Sequence, residues 1–237
     1  MRVIIVDVGT HLGQELRVLY GSKFFLYYRL FRRHIKNLLF NFRFDLALHR
    51  EILKNVKLVK KYKSKTKIVA IEPNIKVINS SIYKSVDVVL PGALCDDITA
   101  KTIIGKLFLK DGREDGQGSS LFLSEQESNF IPIFTIPIRK FCEFIRDEYQ
   151  FDIVVVRLNC EGSEDDIIYE FRKAFGTKFN LVLGSLKDVK EYKGENAYRE
   201  LEDFMAQNHI VFCEFHNQID TWPLALRSLS EKYEVSV

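Results

Sequence analysis

The chain has 237 residues, 46% of them hydrophobic and 28% charged, with a formal net charge of +3, enough to bury a sizeable core and better suited to one embellished α/β domain than to two equal domains. Its four cysteines, Cys95, Cys142, Cys160 and Cys213, include no C-x-x-C pair, which argues against a zinc ribbon or a disulfide framework, leaves no metal site to assign and points to a reduced, cytoplasmic setting. The first apolar run is four residues long and ends in Asp7, so no secretory signal is expected, and no stretch is long and apolar enough to span a bilayer.

Residues 3–6, all Val or Ile, form a β-branched run suited to a buried parallel strand, and Asp7, Gly9 and Gly13 follow it. This pattern predicts a strand, a glycine turn and a helix beginning near His11 and running toward Leu19. Glycines there let the backbone approach a ligand and aim the N–H groups of the helix start at a carboxylate or phosphate, while Asp7 suits a cationic or hydroxyl-bearing group. The spacing is D-x-G-x-x-x-G, not the dinucleotide fingerprint G-x-G-x-x-G. A turn that only punctuates the chain is the plain alternative.

Residues 17–67 hold 15 Lys and Arg against two acids, a net of +13, which leaves the remainder at −10, with 20 basic and 30 acidic groups. Eight Phe and Tyr between residues 23 and 48 interleave with Arg29, Arg32, Arg33, Lys36 and Arg43, and no Gly or Pro interrupts residues 23–67. Tyr27, Leu30, Phe31, Ile35, Leu38 and Leu39 recur at helical spacing, so a basic, aromatic-rich helical insertion is predicted. It reads most simply as an aromatic stripe packed on the parent domain beneath a solvated basic face. The functional readings are a substrate lid, a grip on an anionic or lipid-linked substrate, or an interfacial helix that would make the protein peripheral to a membrane.

Residues 68–71 read as a second buried strand, with Glu72 at its carboxyl end and Pro73 breaking the chain. Ligands of open α/β sheets bind outside the carboxyl ends of strands, so Asp7 and Glu72 are expected to converge. A carboxylate there can accept hydrogen bonds from both hydroxyls of an adenosyl ribose. A helix over residues 75–85 leads to a third strand at 86–90, followed by Gly92, Ala93 and Leu94, an apolar wall suited to a flat adenine ring, with Asp96 and Asp97 just beyond. Residues 106–109 and 118–123 look like a hairpin around the loop DGREDGQG. Ser119 and Ser120 in it either face a ligand or satisfy local backbone. A helix is expected over residues 135–149. A fourth strand at 153–158 ends in Asn159, Glu161, Gly162 and Glu164 ahead of an amphipathic helix. Later strands fall at 181–183 and 209–215, and the tail containing Trp222 shows no chemistry. Strands alternating with helices define a parallel-sheet α/β domain.

Taken in order, VDVGTHLGQE, IEPN, GALCDD, GSSLF and NCEGSEDDI resemble the FkbM family of S-adenosylmethionine-dependent methyltransferases. The resemblance covers most of the chain outside residues 17–67 and the tail. It implies a Rossmann-like class I methyltransferase fold, with a mostly parallel sheet, helices on both faces and the basic insertion after the first strand-helix unit, and S-adenosyl-L-methionine as cofactor. The family usually methylates a hydroxyl of a sugar, glycan or secondary metabolite. Carried over by position, Asp7, Gly9, Thr10, His11 and Gly13 surround the methionine end of the cofactor, Glu72 holds the ribose, and Ala93, Leu94 and Asp96 lie near the adenine. Glu161 and Glu164 match the family's E-G-x-E. Where the family has Lys-x-Asp before that motif, this chain has Arg157-Leu158-Asn159, and an Asn159 amide cannot act as a carboxylate base.

The expected chemistry is attack of an acceptor hydroxyl on the sulfonium methyl, with Glu161, Glu164, Asp96 and His11 as candidates for the base. Two other readings compete with it. A nicotinamide-dependent oxidoreductase shares the strand-turn-helix and the acidic ribose ligand but has different glycine spacing. A non-catalytic binding protein would use the basic aromatic segment on an anionic membrane surface or a nucleic acid. No nucleic-acid motif of standard type appears, which counts against a polynucleotide.

Overall fold

The computed structural model describes residues 2–11, 13, 16, 28, 31–32, 35, 50, 54, 57, 61, 63–79, 81–109, 120–121, 129–160 and 162–214. The chain divides into two compact units, Met1–Gly13 with Lys67–Glu214, and Gln14–Thr66 with Phe215–Val237. Most of the predicted basic insertion, the loop 110–119, Ser119, Glu161 and the tail with Trp222 lie outside the described residues.

β1 (Val3–Val8) and β7 (Ile153–Leu158) are β-branched runs buried along their whole length, as strands covered on both faces must be. They are the centre of a six-stranded sheet ordered β3-β2-β1-β7-β8-β9, with β2 at Thr66–Glu72, β3 at Val88–Pro91, β8 at Phe179–Gly184 and β9 at Val211–Glu214. The pairings β1·β7, β2·β3, β7·β8 and β8·β9 are parallel. The outer strands β3 and β9 are only partly buried, as edges are.

Helices flank this sheet. α1 (Ile75–Ile78) is a single turn capped by the Asn74 side chain, which accepts from the Lys76 N–H. α2 (Ile138–Glu148) buries Ile138, Phe141, Cys142 and Ile145, an i, i+3, i+4, i+7 stripe. α3 (Glu164–Phe175) buries Ile167, Ile168, Phe171 and Phe175. Phe171 is the hub of the aromatic core, stacked on Phe141 at 5.9 Å between centroids and edge-on to Phe175 and Phe179. α4 (Lys187–Lys193) and α5 (Glu195–Gln207) follow β8.

A second, three-stranded sheet has the order β4-β6-β5, with β4 at Ala93–Cys95, β5 at Ile104–Phe108 and β6 at Phe130–Pro137. β5 pairs antiparallel with β6; of the hairpin partner expected at 118–123 only Ser120 and Leu121 are described, and Ser120 forms a bridge with Phe108. The helix read from Thr135 begins at Ile138, because residues 130–137 alternate along β6 and Pro137 closes that strand. The helix read over residues 75–85 is a single α-turn followed by a 3₁₀ segment, Ser81–Ser85.

Candidate functional site

In the sheet order, the chain moves outward to β2 on one side of β1 and returns through β7 on the other, so the carboxyl ends of β1 and β7 form a topological switch point, where open α/β sheets bind ligands. Parallel register sets Asp7 opposite Arg157 at this end. Arg157 Nη1 donates to Asp7 Oδ1 at 2.6 Å and to the Gly9 carbonyl at 3.3 Å, with the two side chains 3% and 0% exposed. The Asp7 charge read from the sequence as a ligand contact is therefore neutralised inside the sheet. The sequence alone does not pair Arg157 with Asp7. The available signal was a charged residue at the fifth position of each of two apolar strands, VIIVDV and IVVVRL.

The turn after β1 is laced to the protein. The Gly9 and Thr10 amides donate to the Ile71 carbonyl at 2.9 and 3.4 Å, and the Gly13 amide donates to Thr10 O at 2.9 Å. Thr10 Oγ1 donates to Asp7 O at 2.8 Å. The His11 amide donates to Glu72 Oε2 at 2.6 Å. The four described amides of this turn thus have acceptors within the chain, where the sequence reading had them facing an anion. The glycines are needed for packing: Gly9 has φ +71°, and a Cβ there would lie 1.9 Å from Asn159 O, while at Gly13 (φ +63°) it would lie 2.4 Å from Ile82 Cγ2. His11 itself has φ +50°, and the Tyr83 hydroxyl donates to its carbonyl. Burial, and after it the charges of Glu72 and Asp7, push the Tyr83 pKa up, which keeps that donor protonated.

Glu72 closes β2 and is 4% exposed. Its Oε1 accepts from the Asn74 amide at 2.8 Å, the counterpart of the His11 contact on Oε2. Burial raises its pKa above the ordinary carboxyl value, against the pull of those two hydrogen bonds. Each carboxylate oxygen has two acceptor positions, and one on each is used by these amides. The Gly92 amide donates to the Glu72 carbonyl at 3.1 Å and ties the start of β4 to the end of β2.

On the other side of the switch point, the Asn159 amide donates to Val8 O at 3.1 Å. Glu164, at the start of α3 and fully buried, turns back into the loop: Oε1 accepts from the Cys160 amide at 3.1 Å and Oε2 from the Gly162 amide at 2.7 Å. Burial raises its pKa as well. A carboxylate in the first turn suits the positive end of a helix. Glu161, between the two anchored amides, lies outside the described residues.

Asp7, Gly9, Thr10, His11, Gly13, Glu72, Asn159 and Glu164 are thus gathered at the ends of β1, β2 and β7. Ala93 and Leu94 are both buried, Leu94 in the main core and Ala93 in a small cluster with Leu107 and Ile133. Asp96 accepts from the amides of Ile98 and Thr99 and from the Thr99 hydroxyl. Burial works to raise its pKa, and these hydrogen bonds outweigh burial and hold it below the usual value. Ser120 is buried and pairs with the backbone of Phe108. Lys193, at the end of α4, bridges Asp165 at 2.6 Å and Asp166 at 2.8 Å and pins α4 to the start of α3. Among the described residues no cluster of His, Cys, Asp and Glu is placed to hold a metal.

Fold and site together define an α/β protein with a six-stranded parallel sheet, flanked by helices, whose polar groups gather at the carboxyl ends of its central strands. No family model, no curated protein and no solved structure matches this chain. Among the described residues no helix is long and apolar enough to cross a membrane.

Proposed function

We propose that this chain is an S-adenosyl-L-methionine-dependent methyltransferase with a class I methyltransferase fold that acts on a hydroxyl of a sugar, glycan or secondary metabolite. The observation that carries the proposal is the Glu72 carboxylate at the end of β2, held rigidly by the His11 and Asn74 amides with one acceptor position left on each oxygen. Two adjacent acceptors match the two hydroxyls of an adenosyl ribose. When bound, the cofactor supplies an electrophilic methyl group on a sulfonium centre.

The chain's own part is positioning. Arg157 neutralises Asp7 and holds Gly9, so the turn around the methionine end is fixed before a ligand arrives. Preorganisation of this kind is where much of the rate of a displacement in a water-poor cleft arises. Glu164 acts as a positioning residue, because both its oxygens hold the loop that carries Glu161. Glu161 is then the group we assign to take the acceptor's proton, with Asn159 beside the same loop as a neutral hydrogen-bonding side chain. Asp96 is engaged in capping its own turn. The acceptor is a small molecule or glycan, and the basic segment suits an anionic or lipid-linked one.

A second reading, an NAD-dependent oxidoreductase, is favoured by one observation. The order β3-β2-β1-β7-β8-β9 has the pattern 3-2-1-4-5-6 of dinucleotide-binding sheets. The D-x-G-x-x-x-G spacing of the first turn weighs against it. Native mass spectrometry of the protein as isolated separates the two. A fraction carrying S-adenosylmethionine or S-adenosylhomocysteine is the expected result, and a fraction carrying NAD instead would overturn the proposal.

A further inference from the structure

The chain's positive charge is concentrated in one of its two units. Residues 14–66 with 215–237 carry 16 Lys and Arg against six Asp and Glu, whereas the unit holding the cleft carries 19 against 26. Arg50, Lys54 and Lys57 are helical and exposed, and Lys61, helical and half-buried, continues the series. Steps of four, three and four residues place these four cations within an arc of about 60° around a helix axis. In the same unit Tyr28, Phe31 and Arg32 are helical, with the two rings 54% and 56% exposed. Steps of three and four put them on one helix side. Exposed aromatic rings beside a guanidinium are the composition of an element that sits at the level of lipid headgroups.

We propose that this basic unit docks the protein on the surface of an anionic lipid bilayer, the exposed Arg50, Lys54 and Lys57 meeting lipid phosphates and Tyr28 and Phe31 entering the headgroup layer. A row of cations on one side of a helix suits a plane of charge, whereas single-stranded nucleic acid is held in a basic groove lined with stacking rings. The inference is independent of the reading of the cleft, and no cofactor enters its test. The full chain is sedimented with vesicles of phosphatidylcholine alone and with vesicles containing about 30% phosphatidylserine. Binding to the anionic vesicles is expected to be at least about tenfold stronger and to weaken as salt is raised. The triple variant Arg50→Glu/Lys54→Glu/Lys57→Glu is expected to lose at least about tenfold of that binding, and Tyr28→Ser/Phe31→Ser severalfold. Equal binding to neutral and anionic vesicles, an unaffected triple variant, or tighter binding to a mixed-sequence polynucleotide than to the anionic vesicles would each overturn the proposal.

Discussion

Asp7 and Arg157 place two opposite charges in the driest part of the sheet, in contact at 2.6 Å. Removing one partner from a buried pair leaves the other uncompensated and costs about 3–5 kcal/mol, whereas replacing both is far less damaging. Arg157→Met is therefore expected to lose about that much stability in chemical denaturation, and Asp7→Asn/Arg157→Met to recover most of it. Losses that simply add would show that the two charges do not act as a pair. Glu72 gives a pH signature. Burial lifts its pKa above 4.5, so the folded chain keeps the proton to a higher pH than the unfolded chain does. Its contribution to stability is full below pH 4.5 and is lost as pH rises through the folded value. The Tm of wild type minus that of Glu72→Gln should accordingly fall as pH is raised from 4.5. A difference that stays flat or grows would contradict the assignment.

At the scale of elements, the site depends on loops that touch each other's backbone. Gly9 needs both its left-handed φ and its missing Cβ, because Asn159 O would lie 1.9 Å away, whereas Gly194, with φ +92°, has open space around it. Gly194→Ala is expected to lose about 1–2 kcal/mol for conformation alone, and Gly9→Ala clearly more in the same denaturation series. Equal losses would mean that the β1 and β7 loops separate without cost. Boundaries were most legible where a β-branched run fills a buried strand, as in β7, whose limits match the sequence reading at Ile153 and Leu158. β6 is hard to see in the sequence because Pro132 and Pro137 fall within it and proline is rare inside strands, although Phe130, Pro132 and Phe134 alternate with Ile131, Ile133 and Thr135. α4 and α5 were not read at all, since charged residues dominate their faces and only Val189, Leu201 and Met205 are buried. In the cleft, residue types and strand ends could be read, but partners could not. Asp7 meeting Arg157 depends on the register between β1 and β7, and Glu164 bonding the Cys160 and Gly162 amides depends on a loop path that spacing does not encode.

For the whole molecule, the central claim is that the switch point of the sheet receives an adenosyl group whose ribose is held by Glu72. The strand order is that of dinucleotide-binding sheets while the glycine spacing is not, so a direct comparison of an S-adenosyl and a nicotinamide cofactor decides. The measurement is calorimetric titration of the full chain with S-adenosylhomocysteine and with NAD, repeated on Glu72→Ala. Saturable binding of S-adenosylhomocysteine at one site is expected, weakened at least about tenfold in Glu72→Ala, with no saturable heat from NAD. Saturable NAD binding without S-adenosylhomocysteine binding, or S-adenosylhomocysteine binding that Glu72→Ala leaves unchanged, would contradict it.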